Sequence, residues 1–266
     1  IRRTPSGRLT AVNELGLEEY LYGVLKMEVN PAWPSEALKA QAVAARTLAL
    51  YSLGRFRAEG YDVRATTDSQ VYGGISAEDP RTTAAVDVTR GEIVSFAGRP
   101  IFAAYHSDSG GFTENSEHVW GGRYAYLKAV PDPFTSATPW VARVDAAAFE
   151  DRLRRAGHVV SGITAMDVTG LTPSGRAGAV KITSTSGVLT LRATELRAML
   201  GADALKSTMF TVRLLPGEPA VVEFAGRGSG HGVGLSQWGA RGQALVGKSY
   251  TDILRYYYSG ITVDSR

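Results

Sequence analysis

At 266 residues the chain has room for one large domain or two small ones, and its 44% hydrophobic and 21% charged content is that of an ordinary globular protein. A net charge of +3, from 29 basic and 26 acidic residues, is too small and too evenly spread to argue for a nucleic-acid partner. The absence of cysteine excludes disulfides, thiolate zinc sites and a cysteine nucleophile, and no apolar run approaches the length of a membrane span.

Ile1 to Thr10 is basic, with Arg2, Arg3 and Arg8 around Pro5-Ser6-Gly7, and reads as a strand or an arm. Asn13 to Val29 reads as a helix, because Tyr20, Leu21, Val24 and Leu25 share one helical face. Glu28 lies at its end, where Asn30-Pro31 stops it: the residue before a proline is pushed out of the α region. An acid there can point into a cleft while rigid packing holds it; the competing reading is a solvated glutamate on a helix end. The next helix runs from Pro34 to about Glu59, with proline at its first position and Glu36 in its first turn. Ala37, Leu38, Ala42, Val43, Ala45, Leu48 and their neighbours make it apolar on nearly every side, so it is expected to be a long buried helix. Arg46 lies inside that run. It either pairs with an acid, with Glu28 the expected partner, or snorkels to the surface. Pairing would lower the glutamate's pKa and work against a general acid, which suits Arg46 better to holding substrate or a neighbouring group.

Asp68 to Gly74 reads as a short strand and turn, and Asp79 caps a short helix that ends at Val88. Glu92 to Tyr105 reads as a hairpin turning at Ala97-Gly98. Its second strand delivers the richest polar loop of the chain, with His106, Ser107, Ser109, Gly110 and Gly111, where paired glycines let backbone amides approach a ligand. Tyr124 to Val130, carrying Tyr126 and Lys128, reads as another strand. Trp140 to Pro216 differs in texture. It has a helix at Asp145 to Ala156, a strand pair around the turn Pro173-Ser-Gly-Arg-Ala-Gly178, and a helix at Ala193 to Leu200, but no concentration of catalytic residue types; His158 reads as structural. After a strand at Ala220 to Phe224, five glycines fall within residues 226–234. The lysine and Ser/Thr ending of a P-loop are absent. His231, then Ser236 and Gln237 ahead of a short helix, read as a second wall of a site. Ser249 to Tyr258 closes the chain with a tyrosine-rich helix on the core.

The expected fold is α+β: a core of residues 1–139 and 217–266 with the long buried helix and a groove, and a smaller inserted α/β subdomain at 140–216. Glu28 is expected in that groove, walled by Arg46, the His106 loop and the His231 glycine loop.

Three chemistries are open to these residues. A metal site would draw on His106, Glu114, Glu117, His118 and His231, but no compact ligand pair such as H-E-x-x-H is present. A serine triad would draw on Ser107 or Ser109, His231 and Asp108, without a nucleophile-elbow sequence. A carboxylate acting on a glycosidic bond fits best. Ordinary glycosidases need a second carboxylate, for which Asp108, Glu114 and Glu117 are candidates only by folding. A single acid suffices when the sugar supplies its own nucleophile. Trp33, Trp120, Tyr126 and Trp238 would suit sugar rings, and each is equally a core or rim residue.

The chain resembles the stage II sporulation protein D family, which also contains the amidase enhancers of the bacterial cell wall. The resemblance rests on Tyr20-Leu-Tyr-Gly-Val-Leu-Lys-Met-Glu28, Gln41-Ala-Val-Ala-Ala-Arg46-Thr, Tyr105-His-Ser-Asp-Ser-Gly-Gly111, Tyr126-Leu-Lys128 and Gly228-Ser-Gly-His-Gly-Val-Gly-Leu-Ser-Gln237, in that order along the chain. It implies lytic transglycosylase activity on peptidoglycan: cleavage between N-acetylmuramic acid and N-acetylglucosamine without water, leaving 1,6-anhydro ends, on glycan strands stripped of stem peptides. The family's catalytic glutamate falls on Glu28 and its motif arginine on Arg46. His106, Ser107, Ser109, Gly110, Gly111, Tyr126, Lys128, His231, Ser236 and Gln237 follow as substrate-binding residues. No cofactor is implied; some members bind zinc through cysteines near the His-Ser block, and this chain has none. The implied partners are peptidoglycan glycan strands and a cell-wall N-acetylmuramoyl-L-alanine amidase. The other reading is a non-catalytic, glycan-gripping enhancer of that amidase. Either implies an extracytoplasmic bacterial protein of the cell envelope, secreted or anchored by a segment missing from this chain.

Overall fold

The computed structural model describes residues 1–3, 7 and 9–265. The fold is mixed α+β, as expected. In chain order its first elements are β1 (Arg2–Arg3), β2 (Leu9–Thr10), α1 (Leu17–Glu28), α2 (Ser35–Ser52), α3 (Pro80–Val88), β3 (Glu92–Phe96), β4 (Arg99–Pro100), β5 (Tyr105–His106) and α4 (Ser116–Trp120). There follow β6 (Pro139–Asp145), α5 (Ala146–Arg155), β7 (Ile163–Leu171), β8 (Ala177–Ser184), β9 (Gly187–Arg192), α6 (Ala193–Leu200), β10 (Phe210–Leu215), β11 (Val221–Arg227), β12 (Leu235–Ser236), α7 (Gln237–Leu245), α8 (Tyr250–Tyr257) and β13 (Thr262–Ser265). Among the described residues no helix is long and apolar enough to cross a membrane.

The chain forms two compact units, residues 1–104 with 240–266, and residues 105–239. This division differs from the expected one at 139 and 217. β11 pairs with β10 on one side and with β6 on the other, so a boundary at 217 would cut through a three-stranded sheet. The expectation followed a change in composition, whereas the unit is defined by strand pairing.

In the first unit, α1 begins at Leu17, later than Asn13, because Gly16 is a poor helix residue and sits extended at the N-cap. Glu18 and Glu19 lie in its first turn, where the dipole favours acids. α2 is buried along most of its length, as its composition dictates, but ends at Ser52. Gly54, at φ +78°, breaks it, and a single 3-10 turn at Arg57–Glu59 takes the place of the expected continuation. Thr47 of α2 receives the Val94 N–H at 2.9 Å, which docks the helix onto β3. α8 buries Ile253, Leu254 and Tyr257, and Ser249 caps its start. Asp79 caps α3 through the Arg81 N–H at 2.9 Å. The Ala97-Gly98 turn forms as expected, yet β4 stops at Pro100, which has no N–H to give, and β13 pairs with the other edge of β3. The strand expected at Asp68 to Gly74 does not form. The chain turns there, and the Tyr72 ring lies so close over α1 that a Cβ on Gly23 would sit 2.5 Å from it. Of the N-terminal arm, Arg2–Arg3 pairs with Leu9–Thr10, while Pro5, Ser6 and Arg8 lie outside the described residues.

Arg46 neither pairs with Glu28 nor snorkels. It is 1% exposed and binds Glu18, with Nε–Oε1 at 2.9 Å and Nη2–Oε2 at 2.7 Å. Its remaining donors reach the Val86 and Glu92 carbonyls at 3.0 and 3.1 Å and the Thr89 hydroxyl at 3.4 Å. α1 and α2 are joined by a short connection and run antiparallel, so an arginine in the C-terminal half of α2 meets the N-terminal half of α1.

The second unit has an apolar core built by Phe149 and Leu153 of α5, Val180 and Ile182 of β8, Leu196 of α6, and Val222 and Phe224 of β11. The helices at 146–155 and 193–200 and the strand pair around Pro173–Gly178 match the sequence reading. Tyr124 to Val130 is not a strand. It is irregular backbone tied down by paired bonds between Thr113 and Val130.

Removing one partner of a buried, hydrogen-bonded ion pair leaves an uncompensated charge, at a cost of about 3–5 kcal/mol. Arg46→Ala and Glu18→Ala should each lower stability by that order in urea denaturation. Arg46→Lys, which keeps the charge but loses the fork, should fall between them and wild type. The double variant Arg46→Met/Glu18→Leu should recover most of the loss.

Candidate functional site

The candidate residues fall into the two units: Glu28 and Arg46 in the first, the remainder in the second. Glu28 is the last residue of α1, half-buried, with Val29 extended immediately after it. Its carboxylate acts on Tyr20, two turns back on the same helix. The Tyr20 hydroxyl is pushed well above its ordinary pKa by burial first, then by Glu28 and by Tyr72. Tyr20 is fixed by stacking on Tyr72, centroids 5.5 Å apart, and by its bond to Gln70 Oε1 at 3.3 Å; Gln70 in turn binds the Ala45 carbonyl of α2 at 3.3 Å. Glu28 therefore projects from a helix end whose neighbours are locked by packing.

In the second unit the two sequence blocks read as facing walls do come together. β5 and β12 pair in parallel, Tyr105 with Leu235 and His106 with Ser236. The loops that follow them bridge at Asp108 and Ser229, with N–H···O bonds of 2.9 and 2.8 Å in both directions. This approach explains the glycine density: a Cβ on Gly228, at φ +75°, would lie 2.7 Å from the Gly110 amide.

The backbone of one residue, Val233, organises both histidines. Val233 accepts from His106 Nδ1 at 3.1 Å, so that nitrogen carries the proton. The Val233 N–H donates to His231 Nδ1 at 3.1 Å, so His231 carries its proton on Nε2 and gives it to the Tyr105 carbonyl at 2.9 Å. Both rings are therefore neutral, 5.4 Å apart, with Trp120 lying 5.0 Å from His231. Burial first, and then the neighbouring His231 and Arg176, push His106 well below its ordinary pKa. Burial, with Arg197 and Arg176, lowers His231 to about 4 against the bond to Tyr105.

Arg176 is the residue that sequence reasoning missed. It lies in the Pro173–Gly178 turn, in the stretch read as poor in chemistry, yet it is 1% exposed. Its Nη2 holds the Ser109 and Phe112 carbonyls at 2.6 and 3.2 Å. A Cβ on Gly232 would meet its Cζ at 2.5 Å, so the guanidinium lies flat on the glycine loop. Burial lowers its pKa to about 10. Glu114 fixes the same turn from below, accepting from Thr172 at 2.5 Å, Ser174 at 2.7 Å, His118 Nδ1 at 2.9 Å and the Asn115 amide at 2.8 Å. Burial alone would raise the Glu114 pKa; these bonds outweigh it and bring it below the ordinary value. A polar turn carrying Thr172, Ser174 and Arg176 opposite an acid-rich loop was the only signal available in the sequence.

The other candidates divide by exposure. Ser109 and Ser236 are fully buried; Ser109 donates to Asp132 at 2.7 Å, and Ser236 Oγ receives the Ser109 and Gly239 amides at 3.3 and 3.2 Å. Gly110 and Gln237 are buried and Tyr126 nearly so, while Ser107, Gly111 and His231 are half-exposed and Lys128 is exposed. The serine-triad reading is overturned: Asp108 receives Gly110 N–H, Thr135, Ser136 and Thr138 N–H, and both nitrogens of His231 serve backbone groups. Among the described residues no group of three or more His, Cys, Asp or Glu is placed to hold a metal ion, so the zinc set of some family members does not fit this chain.

The histidines give a signed pH prediction. Unfolded, both titrate near their ordinary value of about 6.5; folded, both resist protonation. Stability is fully present above pH 6.5 and is lost as pH falls toward 4, by up to about 1.4 kcal/mol per pH unit for each histidine. Urea midpoints measured from pH 7.5 to 5 should fall in wild type, and the slope should halve in His106→Gln.

Comparison with known proteins follows the same geography. Residues 5–96, which contain Glu28 and Arg46, match the family model Stage II sporulation protein, and residues 138–234 match a domain of unknown function (DUF8618). The chain is 35% identical to an uncharacterized protein of Brachyspira hyodysenteriae, over 96% of this chain and 68% of that one. It is 33% identical to the amidase enhancer of Bacillus subtilis over 92% of this chain, which spans only 40% of that longer protein. It is 34% identical to the stage II sporulation protein D of Bacillus subtilis, over 95% of this chain and 76% of that one. On this likeness, which runs through both units, the chain belongs to the stage II sporulation protein D family.

Proposed function

We propose that the protein is a lytic transglycosylase that cuts peptidoglycan glycan strands between N-acetylmuramic acid and N-acetylglucosamine, with Glu28 as the single general acid and base. The observation that carries this reading is the division of labour on α1. Glu18 takes the buried Arg46, and Glu28 stands ten residues on at a half-buried helix end. Arg46 is therefore committed to Glu18 and is not the ion-pair partner of Glu28, so the conflict between that guanidinium and a general acid does not arise. Glu28 first gives its proton to the glycosidic oxygen as the C1–O bond breaks. It then takes the proton of the muramic acid C6 hydroxyl as that oxygen bonds to C1, closing the 1,6-anhydro ring. No water enters, and the carboxyl returns to its starting state. Arg46 serves here as a positioning residue that fixes α1.

Such a substrate puts the protein outside the cytoplasm, in the bacterial cell envelope. An amidase would supply the peptide-stripped strands. The likeness to an amidase enhancer supports a second reading, in which the same surface grips glycan and stimulates an amidase without turnover.

Mass spectrometry of glycan strands, with and without stem peptides, separates these readings. Wild type should yield anhydro-ended saccharides, and Glu28→Gln should lose about 10²–10⁴-fold in rate with its melting temperature unchanged. Reducing-end products would mean hydrolysis with a second carboxylate. No products, with strand binding retained, would leave the enhancer.

A further inference from the structure

The first unit holds a cavity of about 640 Å³ at the N-terminal end of α1 and the C-terminal end of α2, to which no role attaches so far. Its lining combines aliphatic side chains, among them Val12, Leu15, Leu50 and Leu53, with the rings of Tyr20, Tyr61 and Tyr72 and the polar groups of Asn13, Asp62 and Arg64. The rings are set before any ligand arrives. Tyr20 and Tyr72 stack at an interplanar angle of 14°, Asn13 Nδ2 donates to the Tyr72 hydroxyl at 3.3 Å, and the Arg64 guanidinium lies 4.4 Å from the Phe56 ring. Arg64 is neutralised by Glu59 and Asp68, so the cavity presents donors and acceptors without a dominant charge.

Apolar and ring surface beside amide, hydroxyl and carboxylate groups matches a sugar, which has apolar C–H faces and a rim of hydroxyls. A free anion would need an uncommitted cation, and a lipid chain would need a wholly apolar wall.

Position supplies the second observation. Tyr20 belongs to the lining and also feels the Glu28 carboxylate. The two residues are eight apart on one helix, about 12 Å along its axis. That is close to the length of one disaccharide of a β-1,4 glycan. We infer that this cavity is a distal saccharide subsite, holding the glycan strand about one disaccharide from the bond that Glu28 attacks. The inference rests on the glycan reading above, and it adds that affinity depends on strand length.

Ala65 is exposed on the cavity wall, and Ala65→Trp fills the space without touching the core. Asn13→Ala, also at an exposed position, removes one polar contact. Both are made in the Glu28→Gln background, checked by melting temperature, and titrated calorimetrically with peptide-free glycan strands and with a tetrasaccharide of the same repeat. The ratio of long-strand to tetrasaccharide affinity should fall about tenfold in Ala65→Trp and less in Asn13→Ala. An unchanged ratio overturns the subsite, whatever wild type does to glycan. A loss seen only on strands that bear stem peptides overturns it in favour of a peptide pocket. If wild type cuts no glycan but the ratio still falls, the subsite stands and the transglycosylase reading fails.

Discussion

A guanidinium in the middle of a helix that is buried on nearly every side has to be matched donor for donor, and Arg46 is so matched. Its Nε and Nη2 take Glu18 of α1, Nη2 also takes the Val86 carbonyl of α3, and Nη1 takes the Glu92 carbonyl at the start of β3. One side chain thereby fixes three elements around α2. Glu18 Oε1 also receives the Gly91 amide at 3.2 Å, closing the turn between α3 and β3. The consequence for α1 is rotational. Glu18 has to face α2, so every other residue of α1 has its direction set. Glu28, ten residues on, lies about 15 Å along the axis and roughly a quarter turn away. Where the candidate acid points thus depends on a pair that it takes no part in.

The second unit solves a different problem with similar means. Its polar loops run through glycine-rich backbone that offers little apolar surface, so polar groups hold them. Arg176 gathers the Ser109 and Phe112 carbonyls, Glu114 gathers four donors, and the backbone of Val233 serves both His106 and His231. Networks of this kind specify one arrangement, because each broken bond leaves a buried polar group unsatisfied at about 1–3 kcal/mol. The histidines are neutral through the same geometry. His106 Nε2 and the Nε and Nη1 of Arg176 have no hydrogen-bond partner among the described residues, the kind of interior position that ordered water occupies.

What the sequence made legible was local. The burial of α2, the Asp79 cap, the Ala97-Gly98 turn and the helix at Ala193–Leu200 each follow from residues within one or two turns of one another. Partner choice was not local. Both Glu18 and Glu28 lie on α1, and only the antiparallel course of the two helices assigns Arg46 to the first. The six-residue connection between them already implies that course, so the pairing was derivable from the order of elements though not from adjacency. Arg176 was less accessible. Its turn is ordinary in composition, and its role arises because β7 and β8 carry it beneath a loop some 65 residues earlier in the chain. The compact units differ from the expected division for a related reason, since strand pairing between β6 and β11 spans the stretch that composition set apart.

A single-acid mechanism makes a particular demand on its carboxyl. The group has to give a proton in the first step and recover one in the second, so neither protonation state can be favoured strongly. A permanent guanidinium partner would favour the carboxylate, and full burial would favour the acid. The structure separates these pressures between two glutamates of one helix. Glu18, buried and bound to Arg46, has the environment of a structural anion. Glu28, half-buried at the helix end, does not share Arg46 and is less buried than Glu18. On the proposed mechanism, the arginine within the Gln41–Thr47 motif would serve the chemistry without touching it, by fixing through Glu18 the orientation of the helix that carries Glu28.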